Sequence, residues 1–170
     1  MTASDNLTER LPIVDTEGRV TGSATRGKCH GGSMWLHPVV HLHVFDMHGR
    51  IYLQKRPDWK EIQPGKWDTA VGGHVDYGED IVSALRREAR EELGLTDICP
   101  EFVTRYIFES DQERELVYAY RVTTDLTPRP TEELAGGRFW TFAEIEDAIA
   151  TGNILTPNFI EEYRRLFAPD

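Results

Sequence analysis

Glu88, Glu91 and Glu92 stand at i, i+3 and i+4. On a helix that spacing puts three carboxylates on one side, each within reach of the next. Three uncompensated acids so close repel one another, and a hard divalent cation resolves the repulsion. Mg²⁺ and Mn²⁺ favour oxygen ligands and usually keep waters and substrate phosphates in their shell. A cation held this way neutralises diphosphate charge, lowers the pKa of an attacking water and aligns the displacement. The arrangement suits a divalent cation holding a small-molecule diphosphate substrate.

An isolated E-x-x-E-E reads better as the solvated face of a charged helix, laced by pairs such as Arg87 with Glu91. Here the acids stand in register with Gly73, Glu79, Arg87 and Gly94, in the run GHVDYGEDIVSALRREAREELGL over 73–95. The run fits the pattern G-x5-E-x7-R-E-apolar-x-E-E-x-G-apolar at every fixed position, and on it the chain resembles a Nudix hydrolase. The resemblance implies Glu91 and Glu92 as principal metal ligands and Glu88 as a ligand or the base that orients water. It implies that the carbonyl of Gly72 or Gly73 joins the metal shell, and that Glu79 and Arg87 form a salt bridge holding loop to helix. In this family the catalytic base varies and can come from a later loop. Glu132 and Glu133 lie in such a loop after Pro130, and Glu133 is the candidate, set against a plain surface acid.

Five further residues carry ligand chemistry. His30 and His37 are seven apart, and His74 follows the Gly72-Gly73 pair. Glu113 and Glu115 are two apart, so on a strand they share a face. The chain also resembles type I isopentenyl diphosphate isomerase, a specialised relative with a metal site of three histidines and two glutamates. These five residues fall at the matching positions, which implies a second site suited to manganese, zinc or magnesium. The alternative reading is of ordinary loop and core histidines, with the glutamates in a solvated turn among Asp111, Gln112 and Arg114. Two departures count against isomerase chemistry. The isomerase needs a cysteine for proton transfer where this chain has Gly72, and neither Cys29 nor Cys99 lies in that motif. Its Nudix box is degraded, whereas this one is complete. The reading is an isomerase-like hydrolase, with an isomerase-like enzyme and a non-catalytic diphosphate sensor as the rivals.

Arg56 and Lys60 are candidates for phosphate oxygens that the metal does not hold, Arg56 through its bidentate geometry. Lys55 and Lys66 read as surface cations. Trp35 and Trp67 are candidates for stacking on a base, although tryptophans more often fill core. His41 and His43 alternate on one strand and either line the pocket or pack.

The elements that must position these residues follow from periodicity and turn chemistry. Leu11–Val14 and Arg19–Ser23 flank Asp15-Thr-Glu-Gly18 and read as a hairpin. Residues 26–36 are glycine-rich and read as loop. Val39–Phe45 is a strand with Val40, Leu42 and Val44 on one face and Val39, His41, His43 and Phe45 on the other. Ile51–Gln54 is a second strand, 57–66 a loop, and Thr69–Val71 a short strand entering Gly72-Gly73. The clearest helix follows. Glu79 and Asp80 are placed in its first turn, Ile81, Leu85, Ala89 and Leu93 form its apolar stripe, and Gly94 ends it. Phe102–Phe108 and Leu116–Val122 read as antiparallel strands, Phe139–Phe142 as a short strand, and Ala143–Ala150 and Pro157–Phe167 as helices. Mixed strands and helices predict an α/β fold, an α/β/α sandwich on a mixed β-sheet. The Nudix resemblance implies the same fold, with the N-terminal β-hairpin as an extension.

The chain has 170 residues, which favours one domain, 1–170, with residues 1–10 flexible. Its formal net charge of -10 argues against a broad nucleic-acid surface, which needs clustered Lys and Arg. A small phosphorylated substrate is compatible with that charge, because a bound cation supplies local positive potential. Two cysteines form no disulfide framework, no stretch has the layout of a signal peptide, and no run is long enough to cross a bilayer. The expected compartment is the cytoplasm. A homodimer is expected from family habit alone.

Overall fold

The computed structural model describes residues 7–60 and 63–169. A hairpin of β1 (Arg10–Val14) and β2 (Val20–Thr25) opens the chain, as the turn residues predict. Of the segment 1–10 expected to be flexible, residues 1–6 lie outside the described residues. Leu7 and Glu9 accept backbone hydrogen bonds from Gly27 and Arg26, at 2.9 and 2.8 Å.

The segment read as loop over 26–36 begins instead with a short helix, α1 (Arg26–His30). Thr25 caps it, its hydroxyl accepting from the Lys28 amide. Five residues with an internal glycine carry no readable helical period, so local capping alone marks it. Then come β3 (Leu36–Phe45), β4 (Ile51–Lys55), β5 (Trp67–Thr69) and β6 (Val71–His74). β3 starts three residues earlier than predicted and carries Pro38 within it. The strand predicted at Thr69–Val71 is two strands, divided at Ala70.

The helix α2 (Ile81–Leu93) starts two residues later than the acidic pair suggested. Asp80 is its N-cap, accepting from the Ser83 amide at 2.8 Å, and Glu79 precedes it. Gly94 ends it at φ 65°, in the left-handed region where a side chain costs most. β7 (Glu101–Glu109) and β8 (Arg114–Thr123) are antiparallel, as predicted. β9 is Gly136–Trp140 rather than Phe139–Phe142. Thr141 and Glu144 form a capping box there, so Phe142 already belongs to α3 (Phe142–Thr151). The last helix, α4 (Pro157–Leu166), begins with proline at a favoured position.

Seven strands make one mixed sheet in the order β5-β4-β3-β8-β7, with β6 paired to β3 and β9 to β4. Only β3 and β8 run parallel. Val40, Leu42 and Val44 face α2, packing with Ala84, Leu85, Ala89 and Leu93. Phe45, Ile51, Leu53 and Trp140 face α3 and α4, packing with Ile145, Phe159 and Tyr163. The two cores make the expected α/β/α layers and leave β6 between two chemistries. Antiparallel partners point to one side, so the register Val40↔Gly73 aims Gly73 at α2. The registers Val39↔His74 and His41↔Gly72 aim His74 and Gly72 at the opposite face. Among the described residues, no helix is long and apolar enough to cross a membrane.

Candidate active site

Glu92 lies on the buried stripe of α2, 7% exposed. Its carboxylate accepts from Gln54 Nε2 at 3.2 Å and from the Gly72 amide at 3.2 Å. Glu88, one turn earlier, packs against Gly73, and a Cβ at that position would overlap its carboxyl group. Gly73 is therefore required by the close approach of helix to strand. Gly72 is under no such constraint: a Cβ there would meet only the His41 ring, at an ordinary 3.6 Å from Cδ2.

Glu91 is the outermost of the three, its side chain 40% exposed. Arg87 threads between the acids. It pairs with Glu79 through two contacts of 2.9 Å, with Glu88 at 2.6 Å and with Glu91 at 3.3 Å, and donates to the His74 carbonyl at 3.1 Å. The Glu79–Arg87 bridge thus holds the loop to the helix, and Arg87 also reaches strand β6. The three carboxylates do not converge on a point. Arg87 draws Glu88 and Glu91, whereas Gln54 and Gly72 hold Glu92 inward.

Buried acids crowd one another in this group. Burial pushes Glu88 up to about 7, with Glu91 and Glu133 adding to the effect and Arg87 opposing it. Burial, with the neighbouring Glu88, pushes Glu92 well above the usual carboxylate range despite its two donors. Glu133 is raised by burial and by Glu91. Four glutamates therefore share one field, and the later loop does approach the helix: the Thr131 amide donates to the Glu92 carbonyl at 2.9 Å. A divalent cation relieves this accumulation of acid, so the donor set fits one.

On the other face, His30, His37 and His74 bring one ring nitrogen each within 4.8 Å of one another, and His37, Glu113 and Glu115 do the same with theirs. His30 Nε2 lies 2.9 Å from His74 Nε2 and 3.2 Å from Glu113 Oε2. His37 sits opposite Glu115 in the β3–β8 register, and its Nδ1 is fixed on the Trp35 carbonyl at 3.0 Å. The Gly32 amide donates to the Gln112 carbonyl at 2.8 Å, tying the end of α1 to the turn that carries Glu113. His37 Nε2 and Glu113 Oε2 are buried without a hydrogen-bond partner. Burial lowers His37 and drives His74 well below its ordinary value, so both rings are neutral at pH 7, the form that ligates metal. Burial and Glu113 push Glu115 up to about 8. This second set also fits a cation.

The candidate phosphate contacts sit nearby. Arg56 pairs with Asp68 at 3.4 Å, and Lys60 Nζ lies 4.9 Å from the Trp59 ring centroid. Trp67 meets Trp140 edge-on, 5.3 Å between ring centroids, and is half-buried against the core, whereas Trp35 is exposed. Both cysteines are free thiols.

Sequence reasoning missed two features. Gln54 holds Glu92, and only the fold brings them together. Glu162 on α4, 1% exposed, gathers three donors: His41 Nδ1 at 3.0 Å, the Tyr106 hydroxyl at 2.5 Å and His43 Nε2. The alternation of histidines on β3 was the only signal, and it does not disclose the carboxylate.

Residues 35–163 match the sequence model of the family described as NUDIX domain. An uncharacterized Nudix hydrolase of Streptomyces coelicolor is 33% identical over 99% of this chain and 92% of its own length. An isopentenyl-diphosphate Delta-isomerase of Kocuria rhizophila is 32% identical over 81% of each chain. A crystal structure of a Deinococcus radiodurans protein superposes with a TM-score of 0.81 at 26% identity, covering 94% of this chain and 99% of that one.

Proposed function

Because the chain belongs to the NUDIX family and is a Nudix hydrolase, we propose that it cuts the phosphoanhydride of a small organic diphosphate with Mg²⁺ or Mn²⁺ bound. The observation that carries this reading is the buried, mutually opposed pair Glu88 and Glu92 against the Gly72-Gly73 strand. Glu92, Glu91 and Glu88 would hold the cation, with the Gly72 carbonyl as a further oxygen. When bound, the cation supplies charge neutralisation for the diphosphate and acidifies water. Glu88 would serve as a cation ligand or, in place of that, as the base that orients and deprotonates the water. Glu133 is the second candidate for that role, because it shares the field of the same acids. Arg87 keeps the acids and the loop in place, and Arg56 and Lys60 take phosphate oxygens.

The test is a panel of organic diphosphates incubated with each metal in ¹⁸O-labelled water. Metal-dependent release of a phosphate or monophosphate supports the reading, and the label tells which phosphorus is attacked. No cleavage of any member with either metal would sink it.

A second reading, isomerisation of an isoprenoid diphosphate, is favoured by the convergence of His30, His37, His74, Glu113 and Glu115 and by the isomerase names among the relatives. Gly72 opposes it, because glycine carries no acid or base. A direct isomerisation assay with metal is expected to give background only, and turnover above background would restore this reading.

A further inference from the structure

Glu162 and Gly72 together leave His41 in an unusual position. The ring is fixed from behind, with Nδ1 donating to Glu162 at 3.0 Å. Glu162 is itself fixed by His43 and Tyr106, so it cannot swing away. This pins the plane of the imidazole and leaves Nε2 as the free end, on a side chain that is still 17% exposed. In front of the ring stands Gly72, its partner in the β3–β6 register. A side chain at 72 would extend from a point 3.6 Å from His41 Cδ2 and 4.0 Å from Nε2 and would cover the ring. Glycine is not needed there for packing, so its consequence is access to His41. Through its amide the same Gly72 touches Glu92. The innermost acid of α2 and the free nitrogen of His41 therefore flank one residue without a side chain.

Resting on the hydrolase reading above, we propose that His41, protonated on both ring nitrogens beside the Glu162 carboxylate, is a substrate-contacting residue that donates a hydrogen bond from Nε2 to a diphosphate oxygen across Gly72. Glu162, with His43 and Tyr106, is its positioning group. A donor carried by a pinned ring loses little freedom on binding, which is how a preorganised site gains affinity. The nearby acids Asp68 and Glu115 add to the pull of Glu162 on the charged ring. Asp68 is engaged by Arg56, by the Thr156 hydroxyl at 2.8 Å and by the Thr69 amide at 2.8 Å. Glu115 faces the buried His37.

Asparagine reproduces the Nδ1 donor of histidine and lacks the Nε2 donor; glutamine reproduces the Nε2 donor and lacks Nδ1. The experiment measures binding of methylenediphosphonate, a non-cleavable diphosphate, with Mg²⁺ present. Wild type, His41→Asn, His41→Gln and Glu92→Gln are compared, with thermal unfolding alongside. His41→Asn is expected to unfold several degrees earlier than wild type, because it gives up the charge facing Glu162, to stay folded at the assay temperature, and to bind about tenfold more weakly, the usual size of a lost hydrogen bond to a charged group. His41→Gln is expected to bind better than His41→Asn and to unfold earlier. Equal binding by wild type and His41→Asn would overturn this inference while leaving the carboxylate site standing. Failure of the wild type to bind, or undiminished binding by Glu92→Gln, would overturn the carboxylate reading and this one with it.

Discussion

Glu92 and Glu162 are both buried glutamates on helices that flank the central sheet, and their surroundings push them in opposite directions. Glu92 has two neutral donors and an acidic neighbour, so burial wins and its pKa rises. Glu162 meets the same burial penalty, but His41 and His43 outweigh it and hold it well below the usual carboxylate range. One carboxylate waits for positive charge; the other has been given it by the fold. The difference teaches how to tell a cation site from a structural anion when both are buried acids: by whether the protein itself completes the shell.

The contrast can be broken by substitution. Glu88→Gln should reduce metal-dependent turnover on the order of 10³-fold while leaving the melting temperature unchanged or raised, because it removes a buried acid that no cation of the chain fully offsets. Steady-state rates and a melting curve on the same preparation check this. Glu162→Gln should act first on stability. It leaves His41 and His43 facing a neutral amide and should cost about 3–5 kcal/mol of stability, read by urea unfolding in chelator. If the two variants behaved alike, the contrast would be empty.

Metal addition sharpens it further. Mn²⁺ at a hundred times its Kd should stabilise the wild type by about 2.7 kcal/mol, and Glu92→Gln by much less, in denaturant titrations with and without the ion. The gain should persist in Tyr106→Phe, which touches only the other cluster. That variant should itself lose about 1–1.5 kcal/mol, the net worth of one hydrogen bond to a charged group.

The pH response separates the clusters by sign. His41 has its folded pKa raised: burial works to lower it, but Glu162 lifts it to about 9 from an ordinary 6.5. Its share of stability is complete below about 6.5 and is lost as pH rises through about 9. Glu162 has its folded value lowered, so its share is present above the ordinary 4.5 and is lost as pH falls below it. Glu88 is an acid raised to about 7, so without metal its share is lost earlier, as pH rises from 4.5 towards 7. Unfolding free energies in chelator from pH 4 to 10 should show the stability advantage of wild type over His41→Asn shrinking between about 6.5 and 9. In Glu88→Gln the decline between 4.5 and 7 should flatten.

The same comparison explains what could be read before folding. The carboxylate site is written in one continuous run, 73–95, because a helix converts fixed spacing into one face and Gly94 marks its end. The apolar stripe and the Glu79–Arg87 bridge followed from that run. Glu162 lies 121 residues from His41, and no local pattern couples them. Gln54 likewise reaches Glu92 only because β4 and the helix that carries Glu92 pack on one sheet. The short elements were the hardest to place. α1 has too few residues for a period, Pro38 concealed the start of β3, and the division at Ala70 depends on strand pairing rather than on propensity. The histidine set was visible only through resemblance, since His30, His37, His74, Glu113 and Glu115 come from four separate segments.

The most direct test of the central claim is turnover by Glu92→Gln beside wild type, on whichever organic diphosphate the wild type cleaves, with Mg²⁺ or Mn²⁺ saturating. The account predicts a loss on the order of 10³-fold or more with the fold retained by circular dichroism. Equal turnover by the two proteins would contradict it.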